Sequence, residues 1–161
     1  KATLLKNRIE LRMIGNAHKL PLTVRTLLNS VQKATRGLAR MRLTLALSYG
    51  GQDELIRAVK QIAKKVKAGT VQPDDITPAL LEDHLDTRDM PPPDLVIRTS
   101  GEQRLSNFLP WQSAYSELYF TDVTWPAFTT EDFDIAMETY AKRERRYGAI
   151  TPSPTSVAQG S

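Results

Sequence analysis

The apolar residues of this chain switch period three times between residues 9 and 67, and that alternation limits its fold more than any other feature. Ile9, Leu11 and Met13 alternate with Glu10 and Arg12, as in a short strand. Gly15-Asn16 breaks the pattern. Pro21 then opens a helix with an apolar face of Val24, Leu27, Leu28, Val31 and Ala34, ending near Gly37. Met41, Leu43, Leu45 and Leu47 alternate again. Gly50-Gly51 turns the chain into a second helix with apolar positions Leu55, Ile56, Val59, Ile62, Ala63 and Val66. Lys64, Lys65 and Lys67 close it, where positive charge suits the helix dipole. Strands alternating with helices predict an α/β domain on a mostly parallel sheet flanked by helices.

Further along, Thr77-Pro78 reads as a cap and first helical residue, opening a short helix to about Leu85. Pro91-Pro92-Pro93 is a stiff lead-in to a strand at Leu95–Ile97. Leu118–Phe120 reads as another strand, cut off by Trp125-Pro126. Thr129 or Thr130 caps a last helix through about Arg146, with Phe133, Met137 and Tyr140 on one face. The predicted domain spans 1–148. Residues 149–161, rich in Pro, Ser, Thr and Gly from Thr151, read as a disordered tail.

Composition narrows the function class only a little. The chain has 161 residues, 40% hydrophobic and 25% charged, ordinary for a soluble globular domain, and no window approaches a membrane span. It has no cysteine, which excludes disulfides and thiolate metal sites and agrees with a reducing compartment. A net charge of +4 suits an anionic substrate, a nucleic acid or an anionic membrane equally. The chain opens on Lys1 with no signal pattern, and Lys1–Lys6 reads as the end of a helix already under way, so upstream sequence is expected.

The candidate site follows the third strand. Leu95-Val96-Ile97 stops abruptly at Arg98, and Thr99, Ser100, Gly101, Arg104 and Ser106 crowd around one glycine. Two guanidiniums, several hydroxyls and a flexible backbone suit a phosphate or diphosphate; the other reading is a solvated turn. Arg98 and Gly50 both fall at carboxyl ends of strands, where such sheets bind ligands. Gly50-Gly51 either presents helix amides to an anion or makes a tight strand-to-helix connection. Glu102 either orients Arg98 or Arg104 or is solvated. Glu117, taken alone, is a solvent-facing strand residue. His18 and His84 have no second histidine at ligand spacing and read as solvated. Trp111, Tyr115, Tyr119 and Trp125 read as core and interface aromatics rather than a base-stacking platform. The Lys142–Arg146 run reads as a solvated helix end. Nucleic-acid binding has only the charge behind it, and none is expected.

The longer text carries a resemblance. IRTSGEQRLSNFLPWQSAYSELYFTDVTWPAF, from Ile97 onward, resembles the C-terminal signature of the cis-prenyltransferases, the undecaprenyl diphosphate synthase family. SYGGQDELIRAV at 48–59 resembles that family's glycine-rich turn, IELRMIGNAHKLP at 9–21 its preceding strand, and AKRERRYG at 141–148 its basic C-terminal helix. The resemblance implies extension of an allylic diphosphate, such as farnesyl diphosphate, by isopentenyl diphosphate with a new cis double bond. The implied product is a polyprenyl diphosphate, undecaprenyl diphosphate in the bacterial type. By the same resemblance Arg98 and Arg104 grip isopentenyl diphosphate. Leu105 lies at the substrate, Ser106 adds a hydroxyl, and Glu117 is a Mg²⁺ ligand. It further implies a cytoplasmic homodimer, peripheral to the membrane that receives its product. The basic C-terminal region would lie near the dimer contact and the site.

The chain also departs from the family. Ser48 and Gln52 stand where the family commonly has Asn and Arg, so the glycine turn has less charge to offer a substrate. The family's N-terminal signature of a histidine, an Asp-Gly-Asn and an Arg-Trp is absent, and the helices expected to wall the hydrocarbon channel go with it. By itself the chain is therefore not expected to make polyprenyl diphosphate, and its fold should leave apolar surface uncovered. The rival reading is a noncatalytic partner subunit, or a fragment retaining the isopentenyl diphosphate site. Joint retention of Arg98, Arg104, Ser106 and Glu117 argues against a bare scaffold.

Overall fold

The computed structural model describes residues 1–38 and 40–143. The predicted tail and the far end of the last helix lie outside the described residues. Two compact units are present, one of residues 1–96 with 104–116, the other of 97–103 with 117 onward.

The first unit begins with α1 (Ala2–Lys6) and runs through β1 (Ile9–Ile14), α2 (Leu22–Thr35), β2 (Met41–Ala46), α3 (Gly51–Lys67) and α4 (Pro78–Glu82). β1 and β2 are parallel, in register from Ile9 opposite Met41 to Ile14 opposite Ala46. A parallel pair requires a crossover, and α2 supplies it. Leu11 and Ile14 are buried on β1. Thr35, fully buried at the end of α2, accepts the Leu11 N–H at 3.1 Å and donates to the Val31 carbonyl at 2.9 Å. α4 starts as expected, with the Thr77 hydroxyl capping Leu80 N–H and Pro78 at the first helical position. It stops at Glu82, short of the expected Leu85, which is buried just beyond it.

The helices form where the periodicity puts them, but their inward faces differ from expectation. On α2, Val24 and Ala34 are exposed and Leu27 is 66% exposed. On α3, Ile56 and Val59 are exposed, and the buried residues are Gly51, Glu54, Ala58 and Ile62, at spacings of three and four. A carboxylate occupies the inward row, which a search for apolar periodicity cannot assign. The apolar surface left uncovered in this unit also includes Leu22 and Met41.

In the second unit the Ile97-Arg98 end of β3 (Leu95–Arg98) pairs with β4 (Glu117–Phe120), and Thr121 N–H donates to the Arg98 carbonyl at 3.0 Å. β4 starts one residue before the expected Leu118. α5 (Thr130–Ala141) is capped by Thr129 in a reciprocal box with Asp132. Ala136 is buried, whereas Phe133 and Met137 of the expected apolar face are exposed. Trp125 is 73% exposed and stacks on Phe128 at 6.2 Å between ring centroids, so it is not a core aromatic; in the first unit Tyr115 is likewise exposed. The whole is an α/β fold.

Candidate functional site

β3 ends at Arg98, as the halted apolar run predicts. Ser100 and Gly101 follow in the left-handed region, with φ of 67° and 70°. Their N–H groups donate to the carbonyls of Val123 (2.9 Å) and Thr121 (3.0 Å), which fixes the turn. Glycine at 101 permits that φ without strain. The Arg98 Nε is buried and has no hydrogen-bond partner. A buried charged donor left unpaired costs more than a neutral one, so the environment favours an anion there. Glu117 opens β4, half-buried, and its Oε2 accepts from Arg143 at 2.6 Å. Glu102 is half-buried in the same unit.

Arg104, Leu105 and Ser106 belong to the first unit. Arg104 and Ser106 are exposed, and Leu105 is half-buried. The backbone here is unusual. Ser106, Asn107 and Leu109 have φ of 48°, 64° and 47°. Each non-glycine residue in this region costs about 1–2 kcal/mol, less for Asn, so packing must hold the loop. The Asn107 carbonyl accepts the Gly51 N–H at 2.8 Å, and its Oδ1 accepts the Gln52 N–H at 2.9 Å. A Cβ on Gly51 would lie 2.1 Å from Pro110 Cδ, so glycine lets the loop reach the helix. Phe108 meets Tyr49 edge-on at 6.0 Å.

These contacts decide between the two readings of the glycine turn. The first two amides of α3 are taken by Asn107, so Gly50-Gly51 is a tight connection with a protein cap rather than an open anion cradle. Asn107 was not a candidate from the sequence, although it lies within the Arg-Leu-Ser-Asn-Phe stretch.

A buried polar network supports the turn from behind. Glu54, 1% exposed, accepts from Tyr49 Oη at 2.5 Å, Gln112 Nε2 at 3.0 Å and Asp86 N–H at 2.8 Å. Burial, then the Glu54 hydrogen bond and charge, raise the Tyr49 phenol far above its ordinary range. Asp86 in turn accepts from Arg57 at 2.6 Å and from Gly15 N–H at 2.9 Å. Arg57 also pairs with Asp53. On β1, burial pushes the Glu10 carboxyl up, but the Arg42 hydrogen bond and the Arg12 charge outweigh it and leave it below its ordinary value.

The histidines stay outside the site. His18 is exposed, as expected. His84 departs from expectation: it is half-buried, past the end of α4, with Nδ1 2.7 Å from the Leu80 carbonyl. Among the described residues no group of three or more His, Asp or Glu side chains is arranged to hold a metal. A single carboxylate suffices only for a hard cation that draws its remaining ligands from substrate phosphates and water, as Mg²⁺ does. A groove of about 570 Å³ along β1 is lined by Arg12, Arg36, Arg88, Asp89 and Met90 among others, and contains none of the candidate residues. Among the described residues no helix is long and apolar enough to cross a membrane.

Comparison with known proteins agrees with this architecture. The profile of the putative undecaprenyl diphosphate synthase family matches residues 1–148. An isoprenyl transferase of Brucella abortus biovar 1 (strain 9-941) is 43% identical over 158 residues, covering 98% of this chain and 62% of that protein. A tritrans,polycis-undecaprenyl-diphosphate synthase (geranylgeranyl-diphosphate specific) of Methanocaldococcus jannaschii is 46% identical over 142 residues, covering 87% of this chain and 51% of that protein. The chain thus spans between half and two thirds of the length of these curated relatives. The crystal structure of lavandulyl diphosphate synthase from Lavandula x intermedia, in complex with dimethylallyl diphosphate, superposes with a TM-score of 0.85 at 37% identity. It covers 87% of this chain and 60% of that one. That of a probable undecaprenyl diphosphate synthase from Campylobacter jejuni gives 0.75 at 34% identity, over 91% and 66%. The chain belongs to the undecaprenyl diphosphate synthase family of prenyltransferases.

Proposed function

We propose that this chain carries the isopentenyl diphosphate half of a cis-prenyltransferase site. One observation bears most weight: the buried, unpartnered Arg98 Nε at the carboxyl end of β3. A diphosphate oxygen would satisfy it with a charge-assisted bond. Arg104 and the Ser106 hydroxyl would add further donors, and Leu105 would face the substrate. In the reaction the allylic carbon–oxygen bond breaks and diphosphate leaves. A carbon–carbon bond forms to the terminal methylene of isopentenyl diphosphate, which loses a proton to give the new double bond. The protein's part is to hold the two substrates in line and to offset the leaving charge. Glu117 would hold Mg²⁺, which supplies charge at the diphosphates when bound. The product is a polyprenyl diphosphate, undecaprenyl diphosphate with farnesyl diphosphate as primer. The working enzyme is a cytoplasmic homodimer delivering its product to the membrane.

The test is incorporation of labelled isopentenyl diphosphate onto farnesyl diphosphate in the presence of Mg²⁺. Supplied with a family segment bearing Asp-Gly-Asn, the chain should form labelled polyprenyl diphosphate, and Glu117→Gln should lower turnover and blunt the Mg²⁺ response. The 161-residue chain by itself should form none. An unchanged metal response in Glu117→Gln removes that residue from the site. Robust elongation by the chain alone means the chemistry lies elsewhere than proposed.

A further inference from the structure

The geometry points to Asn107 as a positioning residue. We infer that it sets the conformation of the Arg104–Ser106 segment by capping α3, so that diphosphate affinity depends on a residue whose own side chain is spent on the helix. This rests on the isopentenyl diphosphate reading above.

Arg104 and Ser106 are exposed, and Ser106 sits at φ 48° in a region that L residues avoid. Immediately after it, Asn107 makes two hydrogen bonds to successive amides of α3: carbonyl to Gly51 N–H, and Oδ1 to Gln52 N–H. Those are donors a helix cannot satisfy within itself, so the bond serves both partners. Asparagine suits both demands, because it tolerates the left-handed φ of 64° and carries an acceptor one carbon from Cβ. The Gly51–Pro110 approach holds the same junction from the other side. Loss of the Oδ1 bond would free the strained residues to relax toward ordinary φ, moving the Ser106 hydroxyl and the Arg104 main chain together.

Two substitutions separate the side-chain bond from the backbone demand. Asn107→Gly removes Oδ1 but accepts the positive φ. Asn107→Ala removes Oδ1 and also resists that φ. Isopentenyl diphosphate is titrated calorimetrically into the chain and into each variant, below the melting midpoint of every protein. Dissociation constants should rise about threefold for Asn107→Gly and about tenfold for Asn107→Ala. Ile62→Ala, a core truncation about three turns further along α3, should lower the melting midpoint and leave the dissociation constant unchanged. A merely structural Asn107 would behave like Ile62, with loss of stability but unaltered affinity, and that result overturns the inference alone. Failure of the parent chain to bind isopentenyl diphosphate overturns the underlying reading, and this inference with it.

Discussion

The Tyr49 hydroxyl donates to Glu54 Oε2 at 2.5 Å, tying the end of the β2 connection to the buried face of the helix that follows. The same carboxylate holds Gln112 of the loop beyond the candidate site and the Asp86 main chain beyond α4. One side chain thus joins three segments far apart in sequence. Removing it leaves the Tyr49 hydroxyl and the Asp86 N–H without their acceptor and Gln112 with Thr87 alone.

Glu54→Ala should therefore cost about 3 kcal/mol of unfolding free energy, and Glu54→Gln about 1–2, because its amide presents N–H to donors. Urea unfolding measures both. A loss below about 0.5 kcal/mol for the alanine variant, the range of ordinary surface changes, would mean that the network is dispensable.

Gly51→Ala tests the docking of the loop. The added methyl would overlap Pro110, whose Cδ and Cγ lie 2.1 and 2.5 Å from the ideal Cβ position. Alanine is otherwise the better helix former, so propensity alone favours the variant. Overpacking should win, with a loss of about 1–3 kcal/mol by thermal or urea unfolding. A stabilised variant would show that loop and helix are not in this contact.

Much of this was legible in the sequence, and the remainder was hidden for a physical reason. Alternation over Ile9–Met13 and Met41–Leu47 located the parallel pair, Thr77-Pro78 located α4, and the halt at Arg98 located the strand end. Those signals are local. Glu54 on the inward row of α3 and Asn107 on the helix amides are not, since their meaning lies in partners about 55 residues away. No periodicity encodes such a bond. Apolar positions on α2 and α3 correctly marked helices but not burial, because a periodic face says which residues can be covered and not what covers them.

Glu10 should make stability depend on pH in the acid range. Its folded pKa lies below the ordinary 4.5, held there against burial by Arg42 and Arg12. The contribution is then fully present above the unfolded value and is lost as pH falls through the lowered folded value. Glu10→Gln should flatten this acid limb when unfolding is compared between neutral pH and about pH 3. An identical slope in the variant would mean that the ion pairs on β1 contribute nothing.

Binding of isopentenyl diphosphate to Arg98 is the central claim, and calorimetric titration of the chain and of Arg98→Ala measures it directly. Loss of the Arg98 guanidinium, with its buried Nε, should weaken binding by about 1.5–3 kcal/mol, or roughly ten- to a hundredfold. Arg98→Lys should recover only part of this, since an ammonium cannot reproduce the planar fork. Equal affinity in parent and Arg98→Ala, with both proteins folded, would contradict the account.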